Sequence, residues 1–129
     1  MTPRKLKYLE THEWADMDAD NIVTIGLSAF AIEQLGDIVY IELPKIGETF
    51  KKGDSFGVIE SVKAASDMYT PIGGTVVEVN DRLSDELYVL KTDTFTKGWM
   101  IKIKADSPEQ FDSLMTAEDY DRFIETQQD

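Results

Sequence analysis

The chain has 129 residues, of which 42% are hydrophobic, and this length suits one globular domain with a single core. It carries 25 acidic and 13 basic residues, for a net charge of −12, which argues against binding to nucleic acid or to anionic membranes. It has no cysteine, which excludes disulfides, thiolate zinc sites and thiol chemistry, and its single histidine leaves imidazole chemistry poorly supplied. The composition therefore favours a binding or carrier module over an enzyme.

The beginning of the chain gives no sign of export or membrane insertion. Residues 1–8 include basic side chains but no apolar stretch of the secretory type. No run approaches the roughly eighteen apolar residues that a membrane helix needs. We expect a cytoplasmic protein that makes no membrane contact.

Alternation of apolar and polar residues predicts five strands along the chain, at residues 22–27, 38–43, 56–61, 75–80 and 99–104. In the second of these, alternation places Val39, Ile41 and Leu43 on one face. A short helix is predicted over residues 29–35, with Ser28 as its N-cap and Gly36 at its end. Short strands separated by turns, without a strand–helix–strand rhythm, indicate an antiparallel sandwich or flattened barrel.

Two short amphipathic helices are predicted near the end of the chain. Ser107, Pro108 and Gln110 are typical of an N-cap, a first helical residue and a capping box. A second, weaker box begins at Thr116 and ends at Asp119. We interpret the acidic residues of this segment as a solvated helical face, and we expect the apolar faces to pack on the strands.

The centre of the sequence is predicted to form a β-hairpin whose tip, residues 61–66, carries Lys63. A lysine in a turn is ordinarily a solvated surface charge. The residues around this one are small, which would give another enzyme access to the amine, as a modification site requires. A Schiff-base or general-base lysine would instead need burial to lower its pKa. The setting therefore favours a modified lysine.

The octet Glu60-Ser-Val-Lys63-Ala-Ala-Ser-Asp67 resembles the lipoyl-attachment hairpin of glycine cleavage system H proteins. The similarity extends to residues 7–14, 25–27, 34–44, 53–54, 77–80 and 98–104. It implies a mainly β fold, the barrel-sandwich hybrid of lipoyl and biotinyl carriers, with a short internal helix. It also implies one lipoyl-carrier domain over residues 1–129, with C-terminal helices at about 108–126.

The resemblance also implies a cofactor and a set of partners. Lys63 would carry lipoate as an amide and shuttle the aminomethyl group of glycine from a pyridoxal-phosphate glycine decarboxylase to a tetrahydrofolate-dependent aminomethyltransferase. An FAD-containing dihydrolipoamide dehydrogenase would reoxidise the carrier, and a lipoyl ligase or transferase would load it. The carrier itself would catalyse none of these steps, and we expect a monomer. Recognition by the loading enzyme would involve the residues on both sides of the lysine: Glu60, Ser61, Val62, Ala64, Ala65, Ser66 and Asp67.

By the same resemblance, Thr11, Glu13, Phe30 and Asp67 stand where the family builds a pocket for the aminomethyl-bearing arm. Three of them have a simpler interpretation, since Glu13 and Asp67 can be surface acids and Thr11 a turn residue. His12 is expected to be structural, because no second histidine or cysteine exists to complete a metal site.

Residues 87–97 depart from the family pattern and leave other functions open. A lipoyl carrier similar to H proteins can serve in lipoyl relay to other complexes or in sulfur oxidation. An acidic interaction domain whose lysine is never modified is a further alternative. A stand-alone enzyme is disfavoured by the lack of cysteine, the single histidine and the absence of a glycine-rich phosphate loop.

Overall fold

The computed structural model describes residues 5–127, and within them nine strands form two antiparallel sheets. The strands are β1 (Lys7–Tyr8), β2 (Glu13–Met17), β3 (Ile22–Leu27), β4 (Ile38–Glu42), β5 (Thr49–Phe50), β6 (Ser55–Ser61), β7 (Ala65–Tyr69), β8 (Gly74–Val79) and β9 (Ile101–Ala105). The helices are α1 (Ala29–Leu35), α2 (Val89–Thr92) and α3 (Ala117–Thr126), with 3-10 helices at Asp81–Ser84 and Pro108–Ser113. The large sheet has the order β1-β2-β3-β9-β8-β5, and the small sheet has the order β4-β6-β7.

The predicted antiparallel β architecture is confirmed. The strand predicted at residues 22–27 has the same bounds as β3, and the other four lie within two residues of their observed ends. Sequence alternation missed four strands. These are β1 and β5, which are two residues long, β2, whose first three residues are all buried, and β7, which only the predicted hairpin implied. The predicted single domain over 1–129 stays a prediction, and residues 1–4 and 128–129 lie outside the described residues.

Side chains from both sheets meet in one hydrophobic cluster. Ile25, Ile101 and Ile103 from the large sheet and Ile59 and Met68 from the small sheet are fully buried. Each buried side chain of this size contributes about 1.5–3 kcal/mol relative to exposure. The central hairpin, β6 and β7, is therefore anchored to the rest of the molecule by its inward face.

The predicted apolar face of the second strand is partly wrong. Ile41 is buried, as expected, but Val39 is 56% exposed. The pairing of β4 with β6 shifts register between Ile38 and Tyr40, and this irregularity turns Val39 outward. An extra residue in a strand breaks the two-residue period on which the prediction depended.

The predicted capping box at Gln110 is also wrong. The segment forms a 3-10 helix, Ser107 makes no side-chain cap, and the Gln110 side-chain oxygen accepts a hydrogen bond from the Gly73 N–H at 2.9 Å instead. The second helix was predicted correctly: the Thr116 hydroxyl accepts from the Asp119 N–H at 3.1 Å, and α3 follows. Among residues 5–127 no helix is long and apolar enough to cross a membrane.

Helix α3 is held against β1 by aromatic stacking. The rings of Tyr8 and Tyr120 lie 4.3 Å apart and are nearly parallel, and both side chains are buried. They belong to a second hydrophobic cluster with Leu6, Trp14 and Ala117. This packing carries the C-terminal end of α3 towards the cleft described below.

Candidate lysine-modification site and adjoining cleft

Lys63 lies in the turn between β6 and β7, and hydrogen bonds of Ser61 fix the conformation of that turn. The Ser61 N–H donates to the Ala64 carbonyl at 2.8 Å, and the Ala64 N–H donates to the Ser61 hydroxyl at 3.2 Å. Ser61 is buried and so holds the turn from inside. The Ser61 hydroxyl is therefore engaged with the backbone of Ala64.

The turn is also tied to the neighbouring strand. The Val62 N–H donates to the carbonyl of Asp37, just before β4, at 3.0 Å. Lys63 is exposed and forms no hydrogen bond or ion pair with any residue of the range 5–127. The turn is therefore rigid in its backbone and presents a free amine at its end.

The predicted recognition residues differ in exposure. Ser61 is buried and Glu60 is half-buried, while Val62 and residues 64–67 are exposed. In the hairpin, Glu60 pairs with Ala65, and Val58 pairs with Asp67. The exposed members thus flank Lys63 on one continuous edge that a second protein can reach.

A cleft of about 280 Å³ adjoins β7 of the hairpin. Three of the four residues predicted for an arm pocket line it, namely Thr11, Phe30 and Asp67. The remaining lining combines apolar and polar side chains: His12, Leu27, Ala31, Gln34, Leu35, Ile59, Ser66, Met68 and Gln127. The cleft thus provides both an apolar wall and polar groups.

Glu13, the fourth predicted pocket residue, lies behind this wall and is only 1% exposed. Its carboxyl accepts a hydrogen bond from the Thr11 hydroxyl at 2.5 Å and another from the Tyr69 N–H at 2.8 Å. Burial raises the pKa of Glu13 to about 7, although both hydrogen bonds favour the charged form. Near neutral pH this carboxyl can hold or release a proton, and its contact with the cleft runs through Thr11.

His12, which the sequence predicts to be structural, also lines the cleft. Its Nδ1 lies 2.8 Å from the Tyr120 hydroxyl, and its ring packs against Phe30 at 5.1 Å. Burial lowers the pKa of His12. Its position between two predicted pocket residues, Thr11 and Glu13, could have indicated a place at the cleft. Its hydrogen-bond partner Tyr120, 108 residues further along the chain, could not be found from the local sequence.

The unusual segment 87–97 contains α2, which packs against α1. Thr94 is buried and donates its hydroxyl to the Leu90 carbonyl at 2.6 Å. Lys91 lies 3.5 Å from Asp37, whose carbonyl receives the Val62 N–H. The segment therefore contacts the residue before β4 that accepts the Val62 N–H.

The residues present fit a lipoyl group. Lys63 offers an exposed amine with small neighbours, and the nearby cleft has apolar side chains, such as Leu35 and Met68, suited to a hydrocarbon arm. Asp67 and Ser66 at the same cleft suit the polar end of a loaded arm.

Comparison with known proteins gives one consistent result. The glycine cleavage H-protein family model matches residues 6–127. The chain is 47% identical over 125 residues to the glycine cleavage system H protein of Carboxydothermus hydrogenoformans, covering 97% of this chain and 95% of that protein. It is 48% identical over 118 residues to the H protein of Psychrobacter sp., covering 92% and 94%. The crystal structure of the Mycobacterium marinum H protein matches with a TM-score of 0.85 at 32% identity, covering 97% of this chain and 98% of that one.

Proposed function

This chain belongs to the glycine cleavage H-protein family, and we propose that Lys63 is the residue to which its lipoyl group is joined, as an amide at Nζ. The chain is the non-catalytic, lipoyl-carrying shuttle of the glycine cleavage system. When bound, the lipoyl group supplies a disulfide that takes up the aminomethyl group of glycine and passes it on. The protein itself has no cysteine whose thiol could exchange with that disulfide.

The free amine on a preorganised turn is the observation that carries the assignment of Lys63. Ser61 and Asp37 fix the backbone on both sides of it, so the amine enters a loading enzyme without an ordering cost in the turn. Amide formation there joins Nζ to the acyl carbon of an activated lipoate that the ligase or transferase supplies. The bond from that carbon to its activating group breaks, the activating group leaves, and the amine loses a proton. Exposed small residues on either side leave room for that enzyme.

The cleft shelters the loaded arm in this proposal. Phe30 excludes water from one wall, and the Asp67 carboxylate binds the amine of the aminomethyl group. Thr11 forms the contact surface above Glu13, which holds or releases a proton at its carboxyl near neutral pH.

The family name implies that the partners are the enzymes of the glycine cleavage system. We propose contacts with the decarboxylase, the aminomethyltransferase, the dihydrolipoamide dehydrogenase and a lipoyl ligase or transferase. A monomer serves such successive encounters best. Lipoyl relay and sulfur oxidation are disfavoured because the similar proteins described above are glycine cleavage system H proteins. The cytoplasmic location stays a prediction.

Exchange of labelled bicarbonate into glycine by a glycine decarboxylase tests this function. The lipoylated protein is expected to stimulate exchange, and Lys63→Arg is expected not to. A lipoylated protein that leaves the exchange rate unchanged would be a carrier of another pathway.

A further inference from the structure

A chain of hydrogen bonds runs from the start of α1 to the wall of the cleft. The Ser28 hydroxyl lies 2.6 Å from the Tyr120 hydroxyl, which lies 2.8 Å from Nδ1 of His12. Ser28 and Tyr120 are both 1% exposed, so water does not complete their hydrogen bonding. Three side chains from distant parts of the sequence therefore share two hydrogen bonds.

The direction of these bonds follows from counting donors and acceptors. The Ser28 hydroxyl already accepts a hydrogen bond from the Ala31 N–H at 3.3 Å, as the N-cap of α1. Within residues 5–127, its own hydrogen has one acceptor in reach, the Tyr120 oxygen. Ser28 thus donates to Tyr120, and the Tyr120 hydrogen is left to donate to Nδ1 of His12.

The opposite direction would leave a buried donor unsatisfied. If His12 donated from Nδ1, Tyr120 would donate to Ser28, and the Ser28 hydrogen would have no acceptor among the described residues. An unmade hydrogen bond at a buried group shifts the equilibrium between the two tautomers of His12 by about tenfold or more. The observed geometry therefore selects one tautomer of the imidazole.

We infer that His12 is a positioning residue of the cleft, held by Ser28 and Tyr120 as the neutral imidazole with its proton on Nε2, so that it offers an N–H donor to the arm that lodges there. Nδ1 is taken by Tyr120, and Nε2 has no partner among residues 5–127. His12 lines the cleft, so Nε2 is the ring nitrogen left for a bound group.

The backbone and the ring contacts restrain His12 further. Its φ of 84° lies in the left-handed region, where residues other than glycine are uncommon. Its carbonyl accepts from the Ser28 N–H at 2.9 Å, and its ring is flanked by Phe30 and Phe123, at 5.1 and 6.0 Å. These contacts leave the imidazole little freedom to turn away from the cleft.

The charged and titratable groups around His12 come from four elements. Glu13 follows it on β2, Asp67 on β7 lines the same cleft, and Tyr120 and Asp121 come from α3, with Tyr8 of β1 stacked on Tyr120. The carboxylates favour a protonated imidazole, whereas burial opposes it and lowers the pKa of His12. The neutral form agrees with the direction set by the hydrogen-bond count.

This inference rests on the proposed function and adds to it the orientation of the arm in the cleft. An N–H donor attracts a sulfur or an amide oxygen of the arm and repels a cationic amine. The carboxylate of Asp67, on the same cleft, attracts a cationic amine and repels a hydrogen-bond acceptor. We therefore expect His12 to hold the acceptor part of the arm while Asp67 holds its amine, so that the two residues fix which way the loaded arm lies.

Nitrogen NMR of the unmodified protein tests the tautomer directly, since the chain has a single histidine. Correlation of the ring protons with both ring nitrogens is expected to show a protonated Nε2 and an unprotonated Nδ1 near neutral pH. In Tyr120→Phe the Nδ1 resonance is expected to move towards that of a free acceptor. A protonated Nδ1 in the unsubstituted chain would overturn the inference, whatever the state of Lys63.

The lifetime of the loaded carrier, followed by intact mass, tests the positioning role. His12→Gln keeps an amide N–H near the place of Nε2, whereas His12→Asn tolerates the positive φ but places its amide near Nδ1. We expect a lifetime within about twofold of the original for His12→Gln and about fivefold shorter for His12→Asn, the effect of one hydrogen bond. Equal lifetimes for both variants would contradict the role of the Nε2 donor. A protein that never accepts lipoate would instead refute the assignment of Lys63.

Discussion

The Oε2 atom of Glu13 accepts a hydrogen bond of 2.8 Å from the backbone N–H of Tyr69, so a buried carboxyl joins β2 of the large sheet to β7 of the hairpin. The Thr11 hydroxyl donates to the other carboxyl oxygen. One titratable group thus lies at the junction of the two sheets, directly behind the cleft.

The pH dependence of stability should report this carboxyl. Burial raises the pKa of Glu13 from 4.5 to about 7, so between these values the folded chain keeps a proton that the unfolded chain has lost. The contribution of this group to the free energy of unfolding therefore falls as the pH rises from 4.5 to 7, by up to about 3 kcal/mol. Glu13→Gln should abolish that fall, as measured by urea unfolding across this range.

Glu10→Gln is the matched control, because Glu10 is exposed in the same segment. It should leave the slope of stability against pH unchanged. The contribution of His12 to stability has the opposite pH dependence, because its lowered pKa removes stability as the pH falls below about 6.5. Both of these variants keep His12, so this contribution cancels when each is compared with the original chain. Parallel curves for Glu13→Gln and the original would contradict a raised pKa at Glu13.

Residues whose partners are near in sequence were predicted well. The N-cap at Thr116 and the lysine turn depend on contacts within three residues, which a sequence pattern contains. Gln110 bonds to Gly73, 37 residues away, and His12 to Tyr120, 108 residues away. No local pattern reports such partners, and for that reason the capping box was wrong and the partner of His12 was not predicted.

The N-cap of α3 should control how firmly that helix stays on β1. Thr116→Ala removes the acceptor of the Asp119 N–H and is expected to cost about 1 kcal/mol of stability. Thr116→Ser keeps the hydroxyl and should recover most of the loss. Thermal unfolding of both variants measures the difference, and equal melting temperatures for the two would rule out the cap as its cause.

Tyr40 should take part in recognition by the lipoyl ligase. It is 49% exposed on the outer face of the small sheet, opposite Glu60, whose strand leads into the lysine turn. Removing an aromatic anchor from an interface commonly weakens binding by tenfold or more. Tyr40→Ser should lower kcat/KM for lipoate attachment by about tenfold.

Ile46→Ser is the control for this prediction, since Ile46 is 68% exposed but lies in the loop after β4. Its kcat/KM should match that of the original chain. Equal losses of kcat/KM in Tyr40→Ser and Ile46→Ser would show that replacing any exposed apolar side chain has this effect. They would contradict a docking role for the outer sheet face.

Asp67 should prolong the life of the loaded carrier. Asp67→Asn keeps the shape of the side chain but removes the charge that binds the amine, so loss of the aminomethyl group should be about fivefold faster. Asp112→Asn, an exposed acid outside the cleft, serves as the control. Intact-mass measurement over time gives both rates, and an unaltered rate in Asp67→Asn would remove this residue from the pocket.

The attachment of lipoate to Lys63 is tested most directly by the intact mass of the purified protein after incubation with a lipoyl ligase, ATP and lipoate. We predict that the original chain gains the mass of one lipoyl group and that Lys63→Arg, which keeps the charge at the tip of the hairpin, gains none. An unchanged mass in the original chain, or the same gain in Lys63→Arg, would contradict the assignment.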